Sequence, residues 1–413
     1  MVRSFFWRLL GRSTKQSRTF GAILLTTPGF PLWSPKDYGA FVREGYKKNV
    51  YVFSCVRMIA MACAGIPWLA YSMEGDRLVE IPPNHPLREL LARPNPFEGW
   101  GRFIEEVVSY LYLTGNSYIE LVTPDAKGNK PPRELYALRP DRVRIISGTP
   151  AQPVAGYIYS VGGREVRIEP EWIIHLRFFN PTDDFYGMSP LEPASYPVDQ
   201  NNESRAWNVA LLQNSARPSG ALVTPPGERL SDEEFERLRE QLRELYQGSK
   251  NAGRAILLEG GLDWKPMSYS PADMDWLEGV KLSAREIALA FGVPPQLIGD
   301  RESSTYANYQ EARKAFYAET VLPLMDWLKN EFNARLVSRF WPGVILDYDQ
   351  DQIEALQEDR GELWDRAIRA VERGVLTPNE ARELLGYDPL PGGDSLFMPA
   401  NLMPYASAKE EEE

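Results

Sequence analysis

The sequence predicts an α+β protein, and three observations carry that assignment. Apolar residues recur at helical spacing over 49–66, where Val52, Val56, Ile59, Cys63 and Ile66 share one stripe. They recur again, over a much longer stretch, from Thr305 to Phe340. Between 116 and 179 the pattern shortens to the runs "SYIELV", "RVRII", "GYIYSV", "REVRI" and "WIIHLRFF". Gly/Pro/Asp-rich turns part these runs, as in an antiparallel sheet.

The remaining elements follow in order. Pro67 ends the first helix and "WLAYSM" reads as a strand. A short helix is expected over 86–92, then a turn at "RPNPFEGW", then a helix over 100–113 with Phe103, Val107, Tyr110 and Leu111 on one side. Residues 191–215 read as helix, with Pro193 and Pro197 crowding its start. Residues 216–270 form a β-α-β-β insert: the strand "SGALVT", a helix over "SDEEFERLREQLRELYQG", and the strands "RAILLEG" and "LDWKPMSY" turned at Gly260–Gly261. Ser231 and Glu234 stand at capping-box positions of that helix, and Phe235, Leu238, Leu242 and Leu245 make its stripe. A helix over 271–292 leaves the insert, capped by Ser270 with Pro271 at its first position, and Leu277, Val280, Ala284, Ile287 and Phe291 line one face. In the long helix Tyr309, Ala312, Phe316, Thr320, Leu324, Trp327 and Leu336 fall on the stripe, and interior Pro323 should kink it. The strand "VILDY" and short helices over 351–386 complete the chain, which ends in an acidic tail.

Length and composition narrow the function classes. A chain of 413 residues points to two or three domains. Cys55 and Cys63, eight apart on one helix, suit reduced buried thiols rather than a disulfide framework. The net charge of −11 argues against a protein that grips DNA by neutralising phosphates. The first 36 residues differ, for "MVRSFFWRLLGRSTKQSRTF" holds five basic residues and no acid precedes Asp37. That arm reads as a segment that orders on a partner, with a membrane-anchoring amphipathic helix as the alternative. The apolar run Met58–Met73 is too short to span a bilayer and Pro67 interrupts it, so no membrane span is expected.

No chemistry is expected. The two histidines, His85 and His175, read as structural, and zinc-ligand spacings are missing. "GSKNAGRA" departs from a phosphate loop because Arg254 stands where lysine is needed and Ala255 where a hydroxyl is. "DYDQDQIEALQE" offers Asp347, Asp349, Asp351 and Glu358 at calcium-loop spacing, but Gln352 occupies the position that needs glycine. No catalytic residue, cofactor or metal is assigned.

Several stretches, taken in order, carry a resemblance: "NVYVFSCVRMIAMACAGIPW", "HPLRELLARPNP", "YLTGNSYIEL", "LRPDRVRI", "FGVPPQLIGD" and "GVLTPNEARELLGYDPLPGGD". From about 49 to 400 the chain resembles the portal proteins of long-tailed, siphovirus-type bacteriophages; the basic arm and acidic tail lie outside the resemblance. The likeness implies a non-enzymatic homo-oligomeric ring, usually of twelve subunits, at one capsid vertex, made in the host cytoplasm. It implies a channel through which double-stranded DNA is packaged and ejected without sequence specificity. The implied partners are the terminase motor, the head–tail connector, and the major capsid and scaffolding proteins, with no membrane.

The resemblance also implies a division of the chain. The arm and lead-in take 1–48, the wing 49–190, a stem helix 191–215, the clip 216–270, and a second stem helix 271–292. A tunnel loop takes 293–304, the kinked helix and wing strand 305–350, the crown 351–395, and the tail 396–413. The loop comprises Val293, Pro294, Pro295, Gln296, Leu297, Ile298, Gly299, Asp300, Arg301, Glu302, Ser303 and Ser304. Small and polar residues can touch DNA without gripping it, and the two prolines limit the swing. Arg301 between Asp300 and Glu302 would give a net negative belt when repeated around a ring, while Leu297 and Ile298 are expected to brace against the neighbouring subunit. Phe235, Leu238, Leu242, Leu245 and Arg254 would belong to the clip, facing terminase and connector. Replacing Leu238 and Leu242 by Ala should cost ~2–5 kcal/mol each if both are buried in the clip. Hydrogen exchange should then lose protection over 216–270 while the wing keeps its own; equal losses would count against a separate clip.

Overall fold

The computed structural model describes residues 38–75, 77–124, 130–213, 220–223, 231, 233–237, 240, 263–266, 276–300, 305–357 and 360–397. All belong to the compact unit Pro35–Glu413. In chain order the main helices are α1 (Val50–Ala64), α2 (Pro86–Ala92), α3 (Trp100–Thr114), α4 (Ser195–Gln213) and α5 (Trp276–Phe291). They continue with α6 (Tyr306–Phe316), α7 (Leu322–Phe332), α8 (Arg360–Glu372) and α9 (Pro378–Leu384). The first strands are β1 (Trp68–Glu74), β2 (Arg77–Glu80), β3 (Asn116–Val122), β4 (Glu134–Leu138) and β5 (Val143–Thr149). The rest are β6 (Gln152–Val161), β7 (Arg164–Ile168), β8 (Ile173–Arg177), β9 (Gly220–Val223), β10 (Asp263–Pro266) and β11 (Val344–Tyr348).

Helix α1 is central. The Asn49 Oδ1 caps it by accepting from the backbone N–H of Tyr51 (3.0 Å) and Val52 (3.2 Å). The predicted stripe is buried throughout, and Cys55 and Ala60 are buried beside it. Both cysteines are free, and burial pushes their thiols up to about 12. Helix α3 packs along α1, burying Phe103, Ile104, Val107, Val108 and Leu111. Tyr110, expected on that stripe, is only partly buried. Trp68 meets both Trp100 and Phe332 edge-on, each at 5.7 Å, and so ties β1 to α3 and α7.

Strand pairing corrects the expectation of one antiparallel sheet. Strands β3, β4 and β8 form one sheet in the order β4-β3-β8, and β5, β6 and β7 form a second in the order β5-β6-β7. A small core lies between them, with Tyr118, Leu138, Val143, Tyr157, Ile168 and Ile173 buried apart from the main cluster. A third sheet, β11-β1-β2, joins the strand after the first helix to the strand after the long one, pairing Trp68 with Tyr348.

His175 is structural. It is buried on β8, its Nε2 lies 3.0 Å from the Asn116 Oδ1, and its ring stacks on Tyr118 at 4.4 Å. Burial first, and then Arg177 and Arg335, depress its pKa to about 3. His85 accepts from the Leu87 N–H and caps α2. Asp347 pairs with Lys329 at 3.1 Å, and Asp349 accepts from the Asp351 N–H in a local turn.

The long helix is continuous in backbone sense but not regular. Two wide turns, Tyr317–Val321 and Asn333–Val337, interrupt the α-helical ladder. Within the first, the Leu322 N–H reaches back to the Tyr317 carbonyl, one residue beyond the α-helical partner. Pro323 follows at once, exposed, at the start of α7. A proline has no N–H to give to a preceding carbonyl, and the wide turn falls where the regular ladder would lose that bond. The buried stripe moves accordingly from the expected Thr320 to Val321, and continues through Leu324, Met325, Leu328, Phe332 and Leu336.

Helix α4 joins this framework through buried amides. The Asn49 Nδ2 donates to Asn201 Oδ1 (3.3 Å) and Asn202 Oδ1 (3.1 Å), and the Asn201 Nδ2 donates to Ser283 Oγ on α5 (3.0 Å). The Asn202 Nδ2 donates to the Glu44 carbonyl (2.8 Å). Replacing Asn49 by Ala removes a helix cap and leaves buried amide oxygens without a donor. The expected loss is about 2–4 kcal/mol, combining a cap with buried unsatisfied acceptors, and equilibrium urea unfolding would measure it. The depressed His175 pKa gives a second expectation. The unfolded imidazole binds a proton below its ordinary 6.5 and the folded one does not until about pH 3. Its contribution to stability is therefore complete above pH 6.5 and lost as pH falls toward 3. Urea midpoints should fall across that window, and His175→Gln should flatten this part of the profile.

Candidate functional site

The site develops from the pair α4 and α5. Strand β9 follows α4, β10 precedes α5, and the two strands pair antiparallel, Gly220 with Pro266 and Val223 with Asp263. The helices therefore run in opposite directions, and the Asn201–Ser283 bond fixes their register. Within the insert, Ser231 and Glu234 form the expected reciprocal cap: the Glu234 N–H donates to Ser231 Oγ (3.3 Å), and the Ser231 N–H to Glu234 Oε2 (2.9 Å). The Ser231 N–H and hydroxyl, both donating to Glu234 Oε2, hold its carboxyl below the usual range. Phe235, expected on the buried stripe of that helix, is exposed. Leu238, Leu242, Leu245 and Arg254 lie outside the described residues.

The loop after α5 is docked over most of its length. Gly292 ends the helix at φ +68°, and the Val293 N–H returns to the Ala288 carbonyl (2.9 Å). The Thr320 hydroxyl donates to the Gly292 carbonyl, and a Cβ on Gly292 would stand 2.9 Å from that hydroxyl oxygen. Val293 is buried in the main core. Pro294 and Pro295 set the chain for one tight turn, Pro295–Ile298, closed by the Leu297 N–H on the Pro294 carbonyl (3.0 Å). Gly299, at φ +100°, reverses the chain, and the Asp300 N–H returns to the Pro295 carbonyl (3.1 Å). Gln296 is half-buried.

Leu297 and Ile298, half-buried, pack against the main core of their own chain. The Asp300 carboxylate turns back onto Arg285 of α5, Oδ2 to Nε at 2.6 Å, so its charge is matched within the subunit. Arg301, Glu302, Ser303 and Ser304 lie outside the described residues, and Thr305 then caps α6 by accepting from the Asn308 N–H.

Sequence reasoning missed the cations at the base of the helix pair. Arg205 of α4 lies over the Tyr51 ring at 5.1 Å, and Tyr51 shares a cavity of about 370 Å³ with Lys281, Arg285, Ile298 and Asp300. These residues come from four separate tracts, so no local pattern could have joined them. Among the described residues no group of three or more His, Cys, Asp or Glu side chains could hold a metal ion. No described helix is long and apolar enough to cross a membrane.

Comparison with known proteins agrees with this architecture. The family model described as phage portal protein matches residues 51–386. The chain is 41% identical to a subunit in the neck of a native gene transfer agent particle determined with C12 symmetry, covering 88% of this chain and 96% of that one at a TM-score of 0.62. It is 28% identical to the probable portal protein of Streptomyces phage phiC31, over 85% of this chain and 78% of that protein. A portal protein of the HK97 phage family from Corynebacterium diphtheriae shares the fold at 17% identity, with a TM-score of 0.54 over 76% of this chain and 97% of that one. The fold, with its paired helices, inserted strands and long interrupted helix, is that of a phage portal, and the chain belongs to the phage portal protein family.

Proposed function

We propose that copies of this chain close into a ring, of twelve subunits, around an axial channel at one vertex of a viral or virus-like shell. Double-stranded DNA is packaged and released through that channel, and the role is structural rather than catalytic. The observation that carries the reading is the 41% identity, over almost the whole length, to a subunit of a particle neck determined with C12 symmetry. A ring built by rotation needs only one kind of contact repeated between neighbours. The chain's acidity supports passage over retention, because each lasting phosphate contact adds salt-dependent affinity and so a barrier to sliding. The ring would dock a terminase motor, a head–tail connector, and the capsid and scaffolding proteins.

The assignment of parts follows. Helices α4 and α5 make the stem, and the insert at 216–270, whose described strands β9 and β10 pair at its two ends, makes the clip. The unit 49–190 with 305–350 makes the wing, 351–395 the crown, and 293–304 the tunnel loop. In that loop the docked run 293–300 is a foundation, which leaves 301–304 to approach the DNA. Native mass spectrometry and negative-stain microscopy of the purified chain should show closed rings with an axial hole. Monomers or open filaments would sink the reading.

A charge reversal tests the loop. Glu302→Lys changes each subunit by two charges. Rings should form as before, bind duplex DNA more tightly, and lose that gain as salt rises. Six to ten added phosphate contacts would weaken binding by roughly 10³–10⁵ between 50 and 200 mM salt. Packaging should slow. Unchanged DNA binding by intact rings would place the loop away from the channel wall.

A further inference from the structure

Helices α4 and α5 each bury one face, leaving a stripe opposite. On α5 the buried residues are Ser283, Ala284, Ile287, Ala288 and Phe291, and the opposite side carries Leu282 and Leu289, 56% and 79% exposed. On α4 the buried residues are Val198, Asp199, Asn201, Asn202 and Ser204, and the opposite side carries Tyr196, 51% exposed, and the exposed Glu203. Each stripe repeats at seven residues, which returns a helix to nearly the same face. Leucines so exposed on a long helix mark a surface that another surface covers.

The register set by Asn201 and Ser283 gives each residue a height along the pair. At about 1.5 Å per residue, Leu289 stands ~9 Å beyond Ser283. Because the helices are antiparallel, Tyr196 stands ~7.5 Å beyond Asn201 in the same direction. Lys281 and Glu203 both stand ~3 Å in the other direction. Rotation about a ring axis preserves height, so where the helix pair runs along that axis, residues at equal height on the two flanks of one copy face each other between neighbouring copies. The levels match in chemistry as well as height: apolar Leu289 with Tyr196, and cationic Lys281 with anionic Glu203. Lys281 also bonds Glu278 of its own helix (2.9 Å), which holds it near that surface.

We infer that the α5 stripe of one copy packs on the α4 stripe of the next, Leu289 on Tyr196 and Lys281 with Leu282 on Glu203. This rests on the ring reading and names the surface that closes the stem. The contact is heterologous, joining two different surfaces, as ring closure by rotation requires. It leaves the buried faces of α4 and α5 to their own subunit.

Cysteine cross-linking in the full chain tests the contact. The native Cys55 and Cys63 are buried, with thiols pushed up to about 12, so mild oxidation should act only at introduced sites. The double variant Tyr196→Cys with Leu289→Cys should give a ladder of covalent oligomers, while either single variant gives none. Charge exchange is the second arm. Lys281→Glu and Glu203→Lys should each weaken subunit association by about two- to fivefold at low salt, the size of an exposed ion pair, and the double exchange should restore it. Rings that form without a ladder, and single exchanges no weaker than the double, would overturn the contact while leaving the ring reading intact. Absence of rings in the unmodified chain, seen by native mass spectrometry, would overturn both.

Discussion

The architecture depends on the Asn49 side chain, which does two things at once. Its oxygen caps the central helix α1, and its nitrogen donates to two amides of α4, Asn202 and Asn201, the second of which donates on to Ser283 of α5. A buried amide is tolerated only when its donors and acceptors are matched, so the network admits one register between α1, α4 and α5. Apolar contacts along those helices could slide by a turn at small cost. The amides cannot, because a shifted pair would leave polar atoms dry and unbonded. The register of the helix pair, and with it the position of the loop that follows α5, is thereby set from the middle of the core.

Much of this was legible in the sequence, and what was not has physical reasons. The stripe of α1, the strand "WLAYSM", the helix 100–113, the capping box at Ser231 and Glu234, and the start of the long helix at Thr305 rest on local spacing and local hydrogen bonds. Strand β4 escaped notice because Arg133 before it and Glu134 at its start are charged, and it is completed only by pairing with β3. The separation of two sheets is a tertiary fact that alternation along one strand cannot carry. The loop shows the limit most clearly. Its polar and proline-rich composition reads as an open connector, yet Val293 enters the core and Asp300 finds Arg285 fifteen residues earlier. Neither partner is signalled by spacing within the loop.

The electrostatics are as economical as the packing. The chain carries 46 basic residues against 57 acidic ones, and several of the described cations sit close to an acid or an aromatic ring: Arg285 on Asp300, Lys329 on Asp326 and Asp347, and Arg205 over Tyr51. Exposed pairs of this kind add little stability, but they spend positive charge inside the subunit. Cations matched in this way have less to offer a polyanion passing nearby. The portal family's task and this chain's composition are consistent at the level of individual side chains.

The wide turn at Tyr317–Val321 sets which way the two segments of the long helix face. A wide turn holds one residue more than an α-helical turn, and that residue rotates everything after it by about 100°. Before the turn the buried residues are Ala312 and Phe316; after it they are Val321, Leu324, Met325, Leu328 and Phe332. The surplus residue is what brings both sets to face the same core. The turn therefore acts as a phase correction between two helical segments that would otherwise point their apolar sides in different directions. Removing one residue there would make the helix more regular and the protein worse, since every side chain from Leu324 onward would leave its place.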